Sequence, residues 1–394
     1  MKLRERWTLD PAITFLNHGS FGACPTPVLE AQAELRAELE REPVHFFVRT
    51  LAPRLEAAQA RVAEFVGAAA EDLVFVRNAT SAVNAVLRSL DFAPGDRLLT
   101  TDHAYNACRN VLDYVAERCG VAVDVASIPF PLHSPEEATA AILAAVRPKT
   151  RLALLDHVSS PTGLVLPIEE IVAGLEERGV DALVDGAHGP GMLDLDLAAL
   201  GAAYYTGNLH KWVCAPKGAA LLHVRRDRQA GLRPASISHG YSNRARGLTF
   251  HDEFDWTGTD DPTSWLSVPV AIDTIAGMLP GGWEEVRKRC RELALRGQAR
   301  IAEALEIPIP APATMIGALA ALPLPPSPHP PPTSSLYVSP LQTALFERHR
   351  IEVPIVPWPG HPDRLIRISA FLYNTDADYE HLAEVLPRLL REPA

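Results

Sequence analysis

The sequence predicts an α/β protein centred on a mainly parallel sheet with helices on both faces. Two observations carry that reading. Between about residues 70 and 225, short β-branched or leucine-rich runs alternate with longer amphipathic stretches, the order produced by parallel strands with helical crossovers. Several of the short runs are apolar at consecutive positions, which calls for burial on both faces of the sheet.

Strands are read at Leu73–Val76, Arg97–Thr101, Val121–Ile128, Arg151–His157, Ala182–Asp185, Tyr204–Gly207 and Ala219–Val224. Helices fit between them at Thr80–Leu90, Ala104–Arg118, Pro135–Val146 and Pro167–Arg178. Two earlier amphipathic runs, Pro27–Arg41 and Ala52–Val66, precede the sheet as a docking arm or a subunit contact. After about residue 265 the texture changes to a long charged helix, Trp283–Glu306, and then a proline-rich run from Pro323 to Pro332. That run cannot be helical, because proline lacks the backbone donor and restricts its predecessor, so it is expected as a surface connection. A helix at Pro340–His349, strands near Ile351–Val356 and Leu365–Ser369, and a last helix at Asp376–Arg391 complete the chain. The expected organisation is an N-terminal arm (1–20), a large domain (21–265) and a smaller α+β domain (266–394) to which the arm contributes.

Composition narrows the function. With 394 residues, 47% hydrophobic and 22% charged, the chain has ample material for a large core. Its 37 basic and 48 acidic residues leave a net charge of −11, a poor match for a phosphate backbone, so nucleic acid is not an expected partner. The five cysteines are scattered with no CxxC pair, which fits a reducing cytosol and calls for no metal. The charged start, Met1-Lys2-Leu3-Arg4-Glu5-Arg6, leads into no apolar stretch of signal length, and a soluble cytoplasmic protein without membrane contact is expected.

Chemistry concentrates in two segments, Val184-Asp185-Gly186-Ala187-His188-Gly189-Pro190 and Tyr205-Thr206-Gly207-Asn208-Leu209-His210-Lys211-Trp212. In each, an apolar strand runs into small and polar residues at the carboxyl edge, where open α/β sheets bind their ligands. Asp185 and Lys211 therefore form a candidate acid and amine of one site. Arg367 stands between apolar β-formers in Leu365-Ile366-Arg367-Ile368-Ser369, where an inward charge needs a partner.

These segments, with the opening Phe15-Leu16-Asn17-His18-Gly19-Ser20-Phe21-Gly22 and the Arg77-Asn78-Ala79-Thr80 turn, occur in the order found in the class V aminotransferase family. Over nearly its whole length the chain resembles that family of fold-type I pyridoxal-phosphate enzymes, and within it the isopenicillin N epimerase and hercynylcysteine sulfoxide lyase group. The resemblance implies a mainly parallel seven-stranded large domain, pyridoxal 5′-phosphate as cofactor and a homodimer with a shared site. It makes Lys211 the residue that joins the cofactor aldehyde and then moves the substrate α-proton, a task suited to a lysine amine. Asp185 would pair with the pyridine nitrogen, and His188 would hydrogen-bond the phenolic oxygen. Asn78, Ala79 and Thr80, at a strand-to-helix turn, would bind the phosphate through backbone donors and a favourable dipole. Asn208 and His210 would add phosphate contacts, and Thr259, after Gly258, would reach the phosphate from the neighbouring subunit. His103 matches the position that stacks on the cofactor, with Tyr105 and Asn106 as rivals for the same face. Ser160 or Thr162 would place a polar side chain near the cofactor oxygen. Arg367 would bind the α-carboxylate of an amino-acid substrate as a bidentate fork, with Asn17 beside it.

Several reactions share this scaffold. Cysteine desulfurases need a sulfur-accepting cysteine on a mobile C-terminal loop, yet no cysteine follows Cys290, itself inside the long helix. Epimerisation and C–S lysis both begin with α-proton withdrawal by Lys211, and an epimerase needs a second proton donor, for which Tyr105, Tyr241 or a histidine would serve. A transaminase-type activity or a non-catalytic binding protein on the same scaffold is the alternative.

Overall fold

A computed structural model describes residues 3–247, 250–331, 333–334 and 338–392. Its central sheet has seven strands: β2 (Leu73–Val76), β3 (Arg97–Thr101), β4 (Ala122–Ala126), β5 (Thr150–Asp156), β6 (Asp181–Asp185), β7 (Tyr204–Asn208) and β8 (Ala220–Val224), preceded in the chain by a short β1 (Thr14–Phe15). The order across the sheet is β2-β8-β7-β6-β5-β3-β4. Strands β3 to β7 pair in parallel, and β8 runs antiparallel to both β7 and β2. All seven lie within a few residues of their expected positions.

Side-chain alternation explains the consecutive apolar runs. Along β5 and β6, Leu152, Leu154 and Leu183 pack with Val83, Val86 and Leu112 of the Ala79–Ser89 and Asn106–Cys119 helices. Ala153, Leu155, Ala182 and Val184 face the other way, toward Ile142, Ile171 and Leu175 of the Pro135–Ala144 and Ile168–Glu176 helices. Both faces are thereby removed from water, and each fully buried leucine contributes about 1.5–3 kcal/mol. By the same period of two, Asp156 and Asp185 end their strands on the face of Leu154 and Leu183.

The two early helices, Thr26–Arg41 and Leu51–Phe65, pack within the chain against the Thr263–Leu266 and Val268–Ala276 helices. Gln32 donates to Thr263 and Ser264, and Arg36 pairs with Asp261 at 2.9 Å. Further on, β9 (Leu319–Leu324), β11 (Ile355–Pro357) and β12 (Arg364–Ser369) form an antiparallel sheet in the order β11-β12-β9, after the long Gly282–Leu305 helix. The proline run begins inside β9 at Pro323 and continues toward the Pro340–His349 helix; its last residue, Pro332, lies outside the described residues. The final helix is Asp376–Arg391.

The N-terminal segment is stitched to the C-terminal part. Strand β1 pairs in parallel with β10 (Ile351–Glu352), the Ser369 amide donates to Leu16 O, and the Gly19 amide donates to Ser369 Oγ. Among the described residues no helix is long and apolar enough to cross a membrane.

Candidate active site

Strands β5, β6 and β7 end side by side, with Asp156 opposite Asp185 and Asp185 opposite Thr206. A cavity of about 490 Å³ opens above these ends, and Lys211, His188, Asp185, Tyr105, Ser160 and Asn208 are among its lining residues. Two separate strand-to-loop turns therefore deliver the amine and the acid to one space.

Lys211 follows β7, and its Nζ lies 3.2 Å from His188 Nε2. Burial, reinforced by the Arg367 guanidinium, pulls the amine down from 10.5 to about 8. A substantial fraction of Lys211 is thus a neutral nucleophile near physiological pH. The lysine's backbone is also held. His18 Nε2 lies 3.1 Å from Lys211 O while Nδ1 lies 2.7 Å from the Tyr373 hydroxyl. Because a carbonyl only accepts, Nε2 carries the proton and the tyrosine hydroxyl donates to Nδ1. Burial drives His18 to about 3, so this neutral tautomer persists. Its ring stacks on Phe371 at 4.2 Å.

Gly22, just after the arm, closes on the same loop. It has φ +70°, and a Cβ there would lie 2.3 Å from His210 O and 2.8 Å from Lys211 O. Both obstacles are backbone. Gly22→Ala is expected to destabilise the protein by about 2 kcal/mol or more, through left-handed strain and displacement of the lysine loop. Chemical denaturation of the cofactor-free protein measures this, and an unchanged midpoint would contradict the close approach.

Asp185 is buried, with Oδ1 accepting from the Ala187 amide at 3.0 Å and Oδ2 from Cys108 Sγ at 3.0 Å. Burial raises its pKa, opposed by these two donors and by Lys211. Asp156, its neighbour across the strands, is also buried and has Oδ2 without a partner. Desolvation and the adjacent Asp185 charge hold Asp156 well above the usual carboxylate range. Neither Asp156 nor Cys108 was singled out from the sequence. For Asp156 a signal existed, since Leu154-Leu155-Asp156-His157 ends an apolar strand in an acid just as Leu183-Val184-Asp185 does.

At another wall, Asn78 caps the Ala79–Ser89 helix through Oδ1, which accepts from the Ser81 amide at 2.8 Å. Asn208 Oδ1 takes the Ala79 amide at 2.9 Å. Among the described residues, no protein acceptor takes the Thr80 amide, which leaves it for an anion at a helix N-terminus. His210 also lines the cavity, and its Nδ1 donates to Ala219 O at 2.8 Å. Burial lowers His210 to about 4, so it donates to an anion only if binding draws a proton onto Nε2.

Arg367, on β12, is 5% exposed and has no acidic partner among the described residues. One terminal nitrogen donates to Ser160 O and Oγ, the other donates to Ser20 Oγ at 3.2 Å, and Nε has no partner. Burial without a counter-charge lowers its pKa to about 10. A guanidinium in that state is prepared for an anionic ligand.

Five expected site residues do not themselves line the cavity: Arg367 stands behind its lining residues Ser160 and Ser20, and four others stand elsewhere. His103 does not face the cavity: it is fully buried, with Nδ1 3.0 Å from Thr162 Oγ1 and Nε2 donating to Ile128 O at 3.0 Å. Its ring contacts the Trp358 edge, and Tyr105 lines the cavity in its place. Thr162 is correspondingly committed to His103 and to Ser159, so Ser160 is the member of that pair that lines the site. Asn17 does not touch Arg367; its Oδ1 accepts from Ser20 Oγ and its Nδ2 donates to Glu352, which leaves Ser20 as the contact. Thr259 is exposed and does not line its own chain's cavity. Beside it, Asp260 pairs with Arg77.

The family model for aminotransferase class-V matches residues 22–326, well over half of the chain. This chain belongs to the class V aminotransferase family. Isopenicillin N epimerase from Amycolatopsis lactamdurans is 40% identical over 403 residues, covering 98% of this chain and 97% of that protein. A probable chloroplastic L-cysteine desulfhydrase from Arabidopsis thaliana is 30% identical, covering 97% of this chain and 84% of that protein. Among solved structures, a C-DES mutant with glycine covalently linked to its pyridoxal-phosphate cofactor superposes with a TM-score of 0.78 at 23% identity, covering 100% of both chains. The fold is therefore fold-type I, and the class V member described here is a pyridoxal-phosphate-dependent enzyme. The donor set fits that cofactor. The amine that lines the cavity would meet its aldehyde, Asp185 at the strand ends would meet its ring nitrogen, and the unpartnered Thr80 amide would meet its phosphate.

Proposed function

We propose that this class V enzyme binds an α-amino acid, or a metabolite that retains an α-amino acid head, and epimerises it at Cα. The observation that carries the reading is Arg367, a buried guanidinium without a carboxylate partner whose charge acts on the amine of Lys211. An amino-acid carboxylate held by that fork brings its α-carbon toward Lys211. Bound pyridoxal phosphate supplies the electron sink that makes the α-hydrogen acidic.

The neutral fraction of Lys211, enlarged by its lowered pKa, takes the α-proton at Nζ. Asp185 holds negative charge at the strand ends, favoured by the Ala187 amide and the Cys108 thiol. His188 turns Nε2 toward the same space. Tyr105, which lines the cavity and is 45% exposed, is the proposed donor of the returning proton. The isopenicillin N epimerase relative, similar over the whole chain, supports inversion as the outcome. The desulfhydrase relative favours a second reading, C–S lysis, which begins with the same proton withdrawal and then expels a β-substituent. A desulfurase-type persulfide is less well supported, because Cys290 is buried in the Gly282–Leu305 helix.

We further propose a homodimer in which Thr259 reaches the partner's cavity. Its exposure supports this, as do the exposed apolar side chains of Phe21, Val44 and Val48. A cytoplasmic location is supported by five free cysteines.

Turnover of candidate L-amino acids and cysteine conjugates in deuterated water tests the reaction. Inverted product carrying deuterium at Cα is expected, whereas sulfide or pyruvate release would select lysis. Conversion with the α-hydrogen retained would remove Cα deprotonation from the mechanism.

A further inference from the structure

Two hydrogen bonds to one imidazole determine where its proton sits. Trp212 Nε1 lies 3.1 Å from His188 Nδ1, and Lys211 Nζ lies 3.2 Å from His188 Nε2. Trp212 and His188 are 1% and 2% exposed, so water does not compete for either contact. An indole N–H can only donate, and Nδ1 must therefore offer a lone pair. A neutral imidazole with Nδ1 unprotonated carries its hydrogen on Nε2, and that hydrogen points at the cavity. Toward Lys211 the contact then requires the neutral amine as acceptor, because an ammonium has donors only.

From this geometry we propose that Trp212 is a positioning residue that fixes His188 as the Nε2–H tautomer, making it a hydrogen-bond donor to the neutral Lys211 amine or to the group bound beside it. The proposal rests on the reading that His188 faces the cofactor's phenolic oxygen only for its effect on the cofactor. The tautomer itself does not depend on that reading.

Charge around the ring works in the same direction. Burial opposes a second proton on His188, and the Arg367 guanidinium adds to it, as does Lys211 whenever it is charged. Asp185 lines the same cavity and is already engaged by the Ala187 amide and Cys108. Escape to imidazolium is closed, so the choice lies between two neutral tautomers, and Trp212 makes it. The indole is anchored from behind, with ring centroids of His18 and Phe371 at 4.9 and 6.2 Å. It also follows Lys211 in the chain, so one loop supplies both the amine and the group that orients the amine's neighbour.

The test begins without cofactor. In histidine-labelled protein, two-bond nitrogen–proton correlations report each tautomer, and loss of one signal set in His188→Gln assigns residue 188 among the 14 histidines. Above about pH 8, where the Lys211 amine is mostly neutral, the wild type is expected to show Nε2–H, and Trp212→Phe, which keeps the ring and loses the donor, is expected to populate Nδ1–H. Nδ1–H in the wild type, or an unchanged tautomer in Trp212→Phe, would overturn the proposal. Should Trp212→Phe not fold, the wild-type spectrum alone decides.

With pyridoxal phosphate bound, loss of a fixed donor to a phenolate oxygen is expected to raise the pH at which the visible absorbance changes, by about one pH unit. In a His188→Gln background, whose amide donates without a tautomer, Trp212→Phe is expected to move that pH no further. An extra shift there would mark the tryptophan as merely structural and overturn its role. A changed tautomer with unmoved absorbance supports the action of Trp212 on His188 and refutes instead the placement of His188 beside the cofactor.

Discussion

Replacing Lys211 with alanine is expected to lower turnover by roughly 10²–10⁴-fold or more, the range lost when a positioned proton-transfer group is removed. Among the described residues no second lysine lines the cavity to substitute for the amine. The variant is expected to remain folded, because truncation removes a partly desolvated amine and leaves the backbone contact with His18 in place. Steady-state rates and circular dichroism together check this, and undiminished turnover in a folded variant would take the lysine out of the chemistry. The wild type has a matching pH signature. Only the neutral amine attacks an aldehyde, so covalent attachment of added cofactor is expected to accelerate as pH rises through about 8, and not near 10.5. An ordinary lysine profile would mean that burial and Arg367 do not act on Lys211 as described.

Arg367→Ala carries the second large effect. A charge-assisted hydrogen bond contributes about 1.5–3 kcal/mol, so losing the fork is expected to raise KM for an amino-acid substrate by about 10²-fold or more. Cofactor binding is expected to survive, since Arg367 touches Ser160 and Ser20 and not the Asn78–Thr80 turn. Unchanged saturation kinetics would refute the carboxylate role. The fold is not expected to suffer from Arg367→Met, because among the described residues the buried native guanidinium has Nε unpartnered and no acid beside it. An equilibrium denaturation midpoint that falls steeply would show instead that the residue is structural.

The central sheet was legible because its physics is local. Strands buried on both faces must be apolar at consecutive positions, and helices between them must be amphipathic, so the inner strands announce themselves, while the edge strand β4, half exposed, is marked instead by its alternating valines. Strand β9 did not, since Leu319-Ala-Ala-Leu-Pro-Leu324 lacks β-branched residues and contains a proline, and it exists because β12 pairs with it along six residues. The two-residue β1 is likewise defined only by its distant partner. Within the site, Asp185 and Lys211 could be found because each ends an apolar run. His103 misled for a reason sequence cannot reveal: three candidate side chains fall within four residues, and the direction each one points is decided by the turn that starts the Asn106–Cys119 helix. His103 satisfies both ring nitrogens within the protein and Tyr105 is left for the cavity. Trp212 reads in sequence as a large flank to a lysine, and only its distance to His188 gives it a task.

The stitching of β1 to β10 and of His18 to both Lys211 and Tyr373 has a consequence for biosynthesis. The amine is encoded just after β7, yet the groups that hold it in place come from His18, made long before it, and from Tyr373, made more than a whole sheet later. A nascent chain that has finished only the central sheet still lacks Arg367 and the Tyr373 hydroxyl, so the pocket that orders Lys211 closes only after the segment through Tyr373 has been made.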